Sequence, residues 1–187
     1  MIEPFRYLPS PHVDARPIGV QVDMLVVHAI SLPPGAFGGP FVDALFLGQL
    51  NPDAHPYFRE IAGMRVSAHF FIDRGGSLTQ YVPVAMRAWH AGQSVWEGRT
   101  ACNDFSVGVE LEGVEAGQFT DAQYEQLAVL TATLMAALPA LTLERVVGHQ
   151  DIAPGRKWDP GSGFDWERFR ALVRRTRPEL AIALVWE

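Results

Sequence analysis

Apolar residues recur along this chain with two periods, and the changes between them mark its elements. Val22–Val27 is an unbroken apolar run rich in β-branched residues and predicts a buried strand. His69–Ile72 and Leu78–Val82 flank Asp73-Arg74-Gly75-Gly76-Ser77, which reads as a hairpin closed by a glycine-containing turn. Ser106–Leu111 alternates small or polar with apolar residues and predicts a half-buried strand. The pair Val146-Val147 predicts a further short strand ending at Gly148-His149.

The helical period is clearest after Thr120. Thr120 and Gln123 form a capping-box signature, and Tyr124, Leu127, Ala128, Leu134, Met135 and Leu138 then share one stripe until Pro139. A second helix is expected after Asp165, burying Trp166, Phe169, Leu172 and Val173, and Phe41–Leu47 suggests a shorter third. Leu32–Pro40, with its clustered Pro and Gly, must be an irregular loop. Strands and helices interleaved without a linker or repeat predict an α/β (α+β) fold, one sheet packed by helices.

Composition narrows the field. A chain of 187 residues fits a single domain, and 48% hydrophobic with 19% charged residues is globular. A net charge of −6 argues against nucleic acid and gives no reason to sit on an anionic membrane. One cysteine, Cys102, excludes an internal disulfide framework. The opening MIEPFRYLPSPH lacks the basic and apolar regions of a signal peptide. Ala128–Leu141 is interrupted by Thr131, Thr133 and Pro139 and is too short to span a bilayer, and the closing run Leu180–Trp186 is shorter still. A soluble, cytosolic protein is expected.

Chemistry concentrates at the histidines. His28 follows an apolar strand and precedes the Pro/Gly-rich loop, while His149 follows another strand and stands ten residues before Asp159 in GHQDIAPGRKWDPG. Two imidazoles and a carboxylate at strand ends can hold Zn²⁺ and leave a fourth position for water. His12, His55 and His69 are read as hydrogen-bonded structural residues, and His90 as a residue lining the cleft. Glu110 and Glu112 share one strand face, and either could serve as general base; periodicity does not choose between them. Of fifteen basic residues only Lys157 is lysine, and it lies two positions before Asp159, where an ammonium could stabilise a developing oxyanion.

These residues fall in segments that resemble the AmpD-type N-acetylmuramoyl-L-alanine amidases of cytosolic cell-wall recycling. The segments are SPHVDARP (Ser10–Pro17), VVHAISLPPGAFGGPFVDALF (Val26–Phe46), NPDAHPYF (Asn51–Phe58), RVSAHFFIDRGGSLTQYVP (Arg65–Pro83), RAWHAG (Arg87–Gly92), CNDFSVGVELEG (Cys102–Gly113) and GHQDIAPGRKWDPG (Gly148–Gly161). They stand in the family's order, and the likeness runs from about residue 10 to 172, leaving a C-terminal extension over 173–187. The resemblance implies that His28, His149 and Asp159 ligate zinc, that Glu110 is the general base beside a structural Glu112, and that Lys157 stabilises the transition state. His69 and His90 are not ligands in that pattern.

The resemblance also implies a single zinc amidase domain over 1–187. Its fold would be a central mixed β-sheet flanked by helices, as in phage amidase lysozymes and peptidoglycan recognition proteins. The implied reaction cuts the amide between the lactyl group of 1,6-anhydro-N-acetylmuramic acid and L-alanine, in a cytoplasmic monomer. Ala29 and Ala101 depart from the Asn and Arg of the family and bear on substrate contacts. Arg65 and Arg99 are candidate cations for stem-peptide carboxylates, and Trp89 a flat surface for the sugar. Competing readings are a non-catalytic peptidoglycan-binding module, an amidase acting on intact wall, and a scaffold protein.

Overall fold

The strands of the protein, a computed structural model describing residues 5–176 and 182–187, are β1 (Arg6–Tyr7), β2 (Val13–Ala15), β3 (Met24–Ile30), β4 (Phe70–Ile72), β5 (Leu78–Gln80), β6 (Met86–Ala88), β7 (Val95–Trp96), β8 (Arg99–Thr100), β9 (Ser106–Glu112) and β10 (Val146–Gly148). The helices are α1 (Phe41–Phe46), α2 (Phe58–Ile61), α3 (Asp121–Ala137), α4 (His149–Ile152) and α5 (Trp166–Arg175). The first four residues, and Leu180 and Ala181 of the closing apolar run, lie outside the described residues.

Six strands form one mixed sheet in the order β1-β5-β4-β9-β3-β10, with only the β4–β5 hairpin antiparallel. The expected central mixed sheet flanked by helices is therefore present. Two further pairs, β2–β6 and β7–β8, lie outside it.

Register decides what each face carries. Leu25 and Val27 pair with Val107 and Val109 and turn, with Phe70 and Ile72, into a core closed by α3 and α5. The opposite face carries Phe71, which packs with Val42, Leu45 and Phe46 of α1 and Phe58 of α2. Covered on both sides, β9 is a central strand, buried along nearly its whole length; the half-buried strand expected from its alternation is corrected because α3 and α5 close one face and the His90 ring packs on Gly108 and Ser106 of the other. The strand expected over Val22–Val27 begins at Met24 and runs through His28 to Ile30.

The helix signals hold. Thr120 Oγ1 accepts from the Gln123 amide at 3.2 Å, and Gln123 Oε1 accepts from the Thr120 amide at 3.0 Å. The same Gln123 donates to the Glu112 carbonyl at 2.9 Å, so the cap also fixes α3 to the end of β9. Asp165 caps α5 by accepting from the Arg168 amide at 2.9 Å, and Phe169 and Val173 pack inward. The end of the chain lies along Gln80 and Val84, through Val185.

Candidate active site

In the parallel pairing of β3 with β9, His28 stands across from Glu110. Met24, Val26 and His28 therefore share a face with Ser106, Gly108 and Glu110, opposite the α3 core. The site lies toward the carboxyl ends of these strands, where open α/β sheets leave a crevice. His149 enters as the first residue of α4, immediately after β10, whose Gly148 pairs with Val27. Asp159 is brought back beside it by the Gln150 amide, which donates to the Asp159 carbonyl at 2.9 Å. Gly148 makes that return possible, because a Cβ there would stand 2.8 Å from Cδ of Pro160.

The three expected donors converge. His28 Nδ1 is 2.9 Å from His149 Nδ1 and 3.0 Å from Asp159 Oδ2, and His149 Nδ1 is 3.0 Å from the same oxygen. All three side chains are buried, and one ion could be held by them. Burial pushes the His28 imidazole down to about 4, so the ring is neutral and one of its nitrogens keeps a free lone pair.

Glu110 borders the same cleft, and its Oε2 is buried with no hydrogen-bond partner among the described residues. Burial, reinforced by Asp159 and opposed by Lys157, holds this carboxyl well above the ordinary range. Lys157 is exposed and lines the same cleft as Glu110 and the three donors. Glu112 is employed elsewhere: its carboxylate accepts from the Gly38 amide at 2.6 Å and the Arg74 amide at 3.1 Å, tying the Pro/Gly-rich loop to the β4–β5 turn.

The cleft holds about 530 Å³. Trp89 forms part of its wall and donates Nε1–H to Asp14 Oδ1 at 3.1 Å. Arg65 is exposed and is not itself a lining residue, but its guanidinium lies 5.2 Å from the ring centroid of Trp89, which is. His90 lines the floor, with Nδ1 2.9 Å from His28 Nε2. Ala29 lines the cleft as expected, whereas Ala101 is exposed outside it, in a left-handed conformation with φ 58°.

Arg99 is not brought to the cleft. Its guanidinium donates to Asp23 at 2.7 Å and lies 3.6 Å over the Phe105 ring, near the start of β3 rather than its end. A strand-end ion pair and a cation–π contact occupy the charge that the sequence suggested for substrate. His12, His55 and His69 each bond to backbone: His12 Nδ1 to the Val66 carbonyl, His55 Nδ1 to the Tyr57 amide, and His69 Nδ1 to the Gly108 amide. The sequence reading missed Met64 and Trp158, exposed apolar side chains on the cleft wall, for which local pattern offered no signal.

Comparison with known proteins agrees with this geometry. The family model described as N-acetylmuramoyl-L-alanine amidase matches residues 18–162. The chain is 60% identical over 168 residues to the 1,6-anhydro-N-acetylmuramyl-L-alanine amidase AmpD of Salmonella typhimurium, covering 90% of this chain and 89% of that protein. A crystal structure of a Se-Met AmpD derivative superposes with a TM-score of 0.89 at 56% identity, over 92% of this chain and 96% of that one. The Escherichia coli amidase AmiD, solved with anhydro-N-acetylmuramic acid-L-Ala-D-gamma-Glu-L-Lys, gives a TM-score of 0.60 at 28% identity, over 84% of this chain and 60% of that one. A match over most of the chain, at such identity, makes this protein a member of the N-acetylmuramoyl-L-alanine amidase family, an amide hydrolase built on the family's fold.

Proposed function

We propose that this protein hydrolyses the amide between the lactyl group of 1,6-anhydro-N-acetylmuramic acid and L-alanine of the stem peptide, in cytoplasmic muropeptide recycling. The observation that carries the reading is the convergence of His28, His149 and Asp159 in one cleft with Glu110, whose Oε2 has no hydrogen-bond partner among the described residues. Support for the substrate comes from the relatives named for anhydromuropeptide hydrolysis. No helix among the described residues is long and apolar enough to cross a membrane, which is compatible with that compartment.

The donor set suits zinc. Two imidazole nitrogens and a carboxylate oxygen stand 2.9–3.0 Å apart. Ligand atoms of a tetrahedral zinc lie roughly 3.3 Å apart, so small outward shifts suffice. His28, His149 and Asp159 would hold the ion at the cleft that their side chains line. Bound there, zinc supplies Lewis-acid polarisation of the amide carbonyl and lowers the pKa of water toward about 7.

The chain's own residues supply the proton traffic. Glu110, at the cleft wall, accepts a proton from the attacking water on its carboxylate and returns it to the departing L-alanine nitrogen. Its raised proton affinity suits both halves of that task, since a stronger carboxylate base is also a carboxylic acid nearer neutrality. Lys157 places an ammonium where negative charge develops on the carbonyl oxygen. Trp89 offers its face to the sugar, and Arg65, beside Trp89, its guanidinium to a stem-peptide carboxylate.

The test is hydrolysis of anhydromuropeptides and of intact peptidoglycan, followed by the mass of the released peptide, before and after chelation. Release from the anhydromuropeptide that chelation stops and zinc restores is expected. Full activity in metal-free protein would overturn the zinc reading, and preference for intact wall would overturn the recycling substrate.

A further inference from the structure

We infer that the dipeptide His90–Ala91 is the common support of both histidine donors, fixing the protonated nitrogen of each so that both Nδ1 atoms present lone pairs to one point. This rests on the metal-centre reading of His28, His149 and Asp159, and it makes His90 a positioning residue.

The argument follows the protons inward from groups that can only accept. His149 Nε2 lies 3.1 Å from the Ala91 carbonyl oxygen. A carbonyl has no proton to give, so Nε2 carries the hydrogen and the neutral ring's lone pair is on Nδ1. The His28 side takes two more steps. Ser106 Oγ is 2.6 Å from the Cys102 carbonyl, which commits the hydroxyl proton outward. The same oxygen, 3.2 Å from His90 Nε2, must then accept from it. His90 is thereby protonated at Nε2 and has its lone pair on Nδ1, which accepts from His28 Nε2 at 2.9 Å. His28 Nδ1 is left unprotonated, facing His149 Nδ1 and Asp159.

The supporting dipeptide is itself held from several sides. Asn103 Oδ1 accepts from both of its amides, His90 at 3.1 Å and Ala91 at 2.8 Å. Arg156 Nη2 donates to the same Ala91 carbonyl at 2.7 Å, and to the Gln93 carbonyl at 2.5 Å. Gly108 leaves the space for the His90 ring, since a Cβ there would stand 2.4–2.7 Å from three of its atoms. Three acceptor atoms thus face one another with no proton assigned between them, an arrangement that repels itself until a cation enters. Outer partners that fix ligand tautomers are commonly worth ten- to a hundred-fold in metal affinity.

The test compares zinc affinity, by competition with a chelator of known strength, in the intact protein and in His90→Leu, His90→Asn and Ser106→Ala. His90→Leu is expected to lose about 10–100-fold. His90→Asn, whose amide oxygen can take the place of Nδ1, should recover part of that loss. Ser106→Ala touches no ligand, yet it should weaken zinc several-fold by freeing the His90 tautomer. Long-range ¹H–¹⁵N spectra of the metal-free protein should show His28 and His149 protonated at Nε2, with His28 turning mixed in Ser106→Ala. Unchanged zinc affinity in folded His90→Leu and Ser106→Ala, or His28 protonated at Nδ1 in the intact protein, would overturn the inference. If His90→Leu fails to fold, Ser106→Ala and the intact protein's spectrum decide. Failure of the intact protein to take up zinc would refute the metal-centre reading instead.

Discussion

Glu110 stands directly across from His28 in the parallel pairing of β9 with β3, so a free carboxyl and a donor imidazole leave the sheet side by side. The two are kept to separate tasks by what surrounds them. His28 Nδ1 faces His149 and Asp159, whereas Glu110 Oε2 has no partner among the described residues. A carboxyl outside the donor set and raised in proton affinity is equipped to move protons in the reaction proposed above.

Glu110→Gln should therefore abolish most turnover without emptying the metal site. The amide keeps the shape of the side chain but neither takes nor returns a proton, and a loss of about 10²–10⁴-fold in kcat is expected. Zinc content, measured by metal analysis on the same preparation, should be undiminished. A variant that lost zinc in proportion to activity would make Glu110 a ligand rather than a base.

Glu112→Ala should behave differently, because its carboxylate holds the Gly38 and Arg74 amides. Removing the acceptor costs about 1–3 kcal/mol, read by urea unfolding. It also loosens the loop at one side of the cleft, so KM should rise more than kcat falls. Complete loss of turnover at unchanged stability would move the base assignment to Glu112.

The difference between these glutamates was only partly legible in the sequence. Alternation places both on one strand face, but their neighbours come from elsewhere: His28 through sheet order, Gly38 through a loop that crosses the sheet end. Features written in a few adjacent residues were readable, such as the Thr120–Gln123 box and the Asp165 cap. The short pairs β2–β6 and β7–β8 were not, since two or three residues carry no period and are set by their partners. Arg99 misled because its partner Asp23 is distant in sequence. His90 had one overlooked sign, the glycine at position 108 inside an otherwise well-filled strand, which marks a close approach of something bulky.

Lys157→Met should lower kcat by about 10²–10³-fold, the usual cost of one group stabilising a developing oxyanion. The side chain is exposed, so global stability should be unchanged in the same urea experiment. Lys157→Arg separates charge from shape: wild-type rates would show that a cation alone suffices and remove the case for a compact ammonium.

Asp14 links the cleft wall to acid stability. Across the β2–β6 pair, Arg87 donates Nε and Nη2 to the Asp14 carboxylate at 2.7 and 2.6 Å, and Trp89 adds its Nε1–H. The hydrogen bonds from Arg87, more than its charge, hold the Asp14 carboxyl below its ordinary value despite partial burial. A carboxylate lowered on folding contributes stability that is present above its unfolded pKa, about 3.9, and is lost as pH falls through the folded value. The carboxylate is 40% exposed, so water screens the pair and the effect is modest. The stability gap between wild type and Asp14→Asn should accordingly be constant from pH 6 to 8 and shrink below about pH 4. Unfolding midpoints measured across that range, alongside Trp89 fluorescence, test both halves; a gap that widened on acidification would mean the Asp14–Arg87 pair does not stabilise the fold.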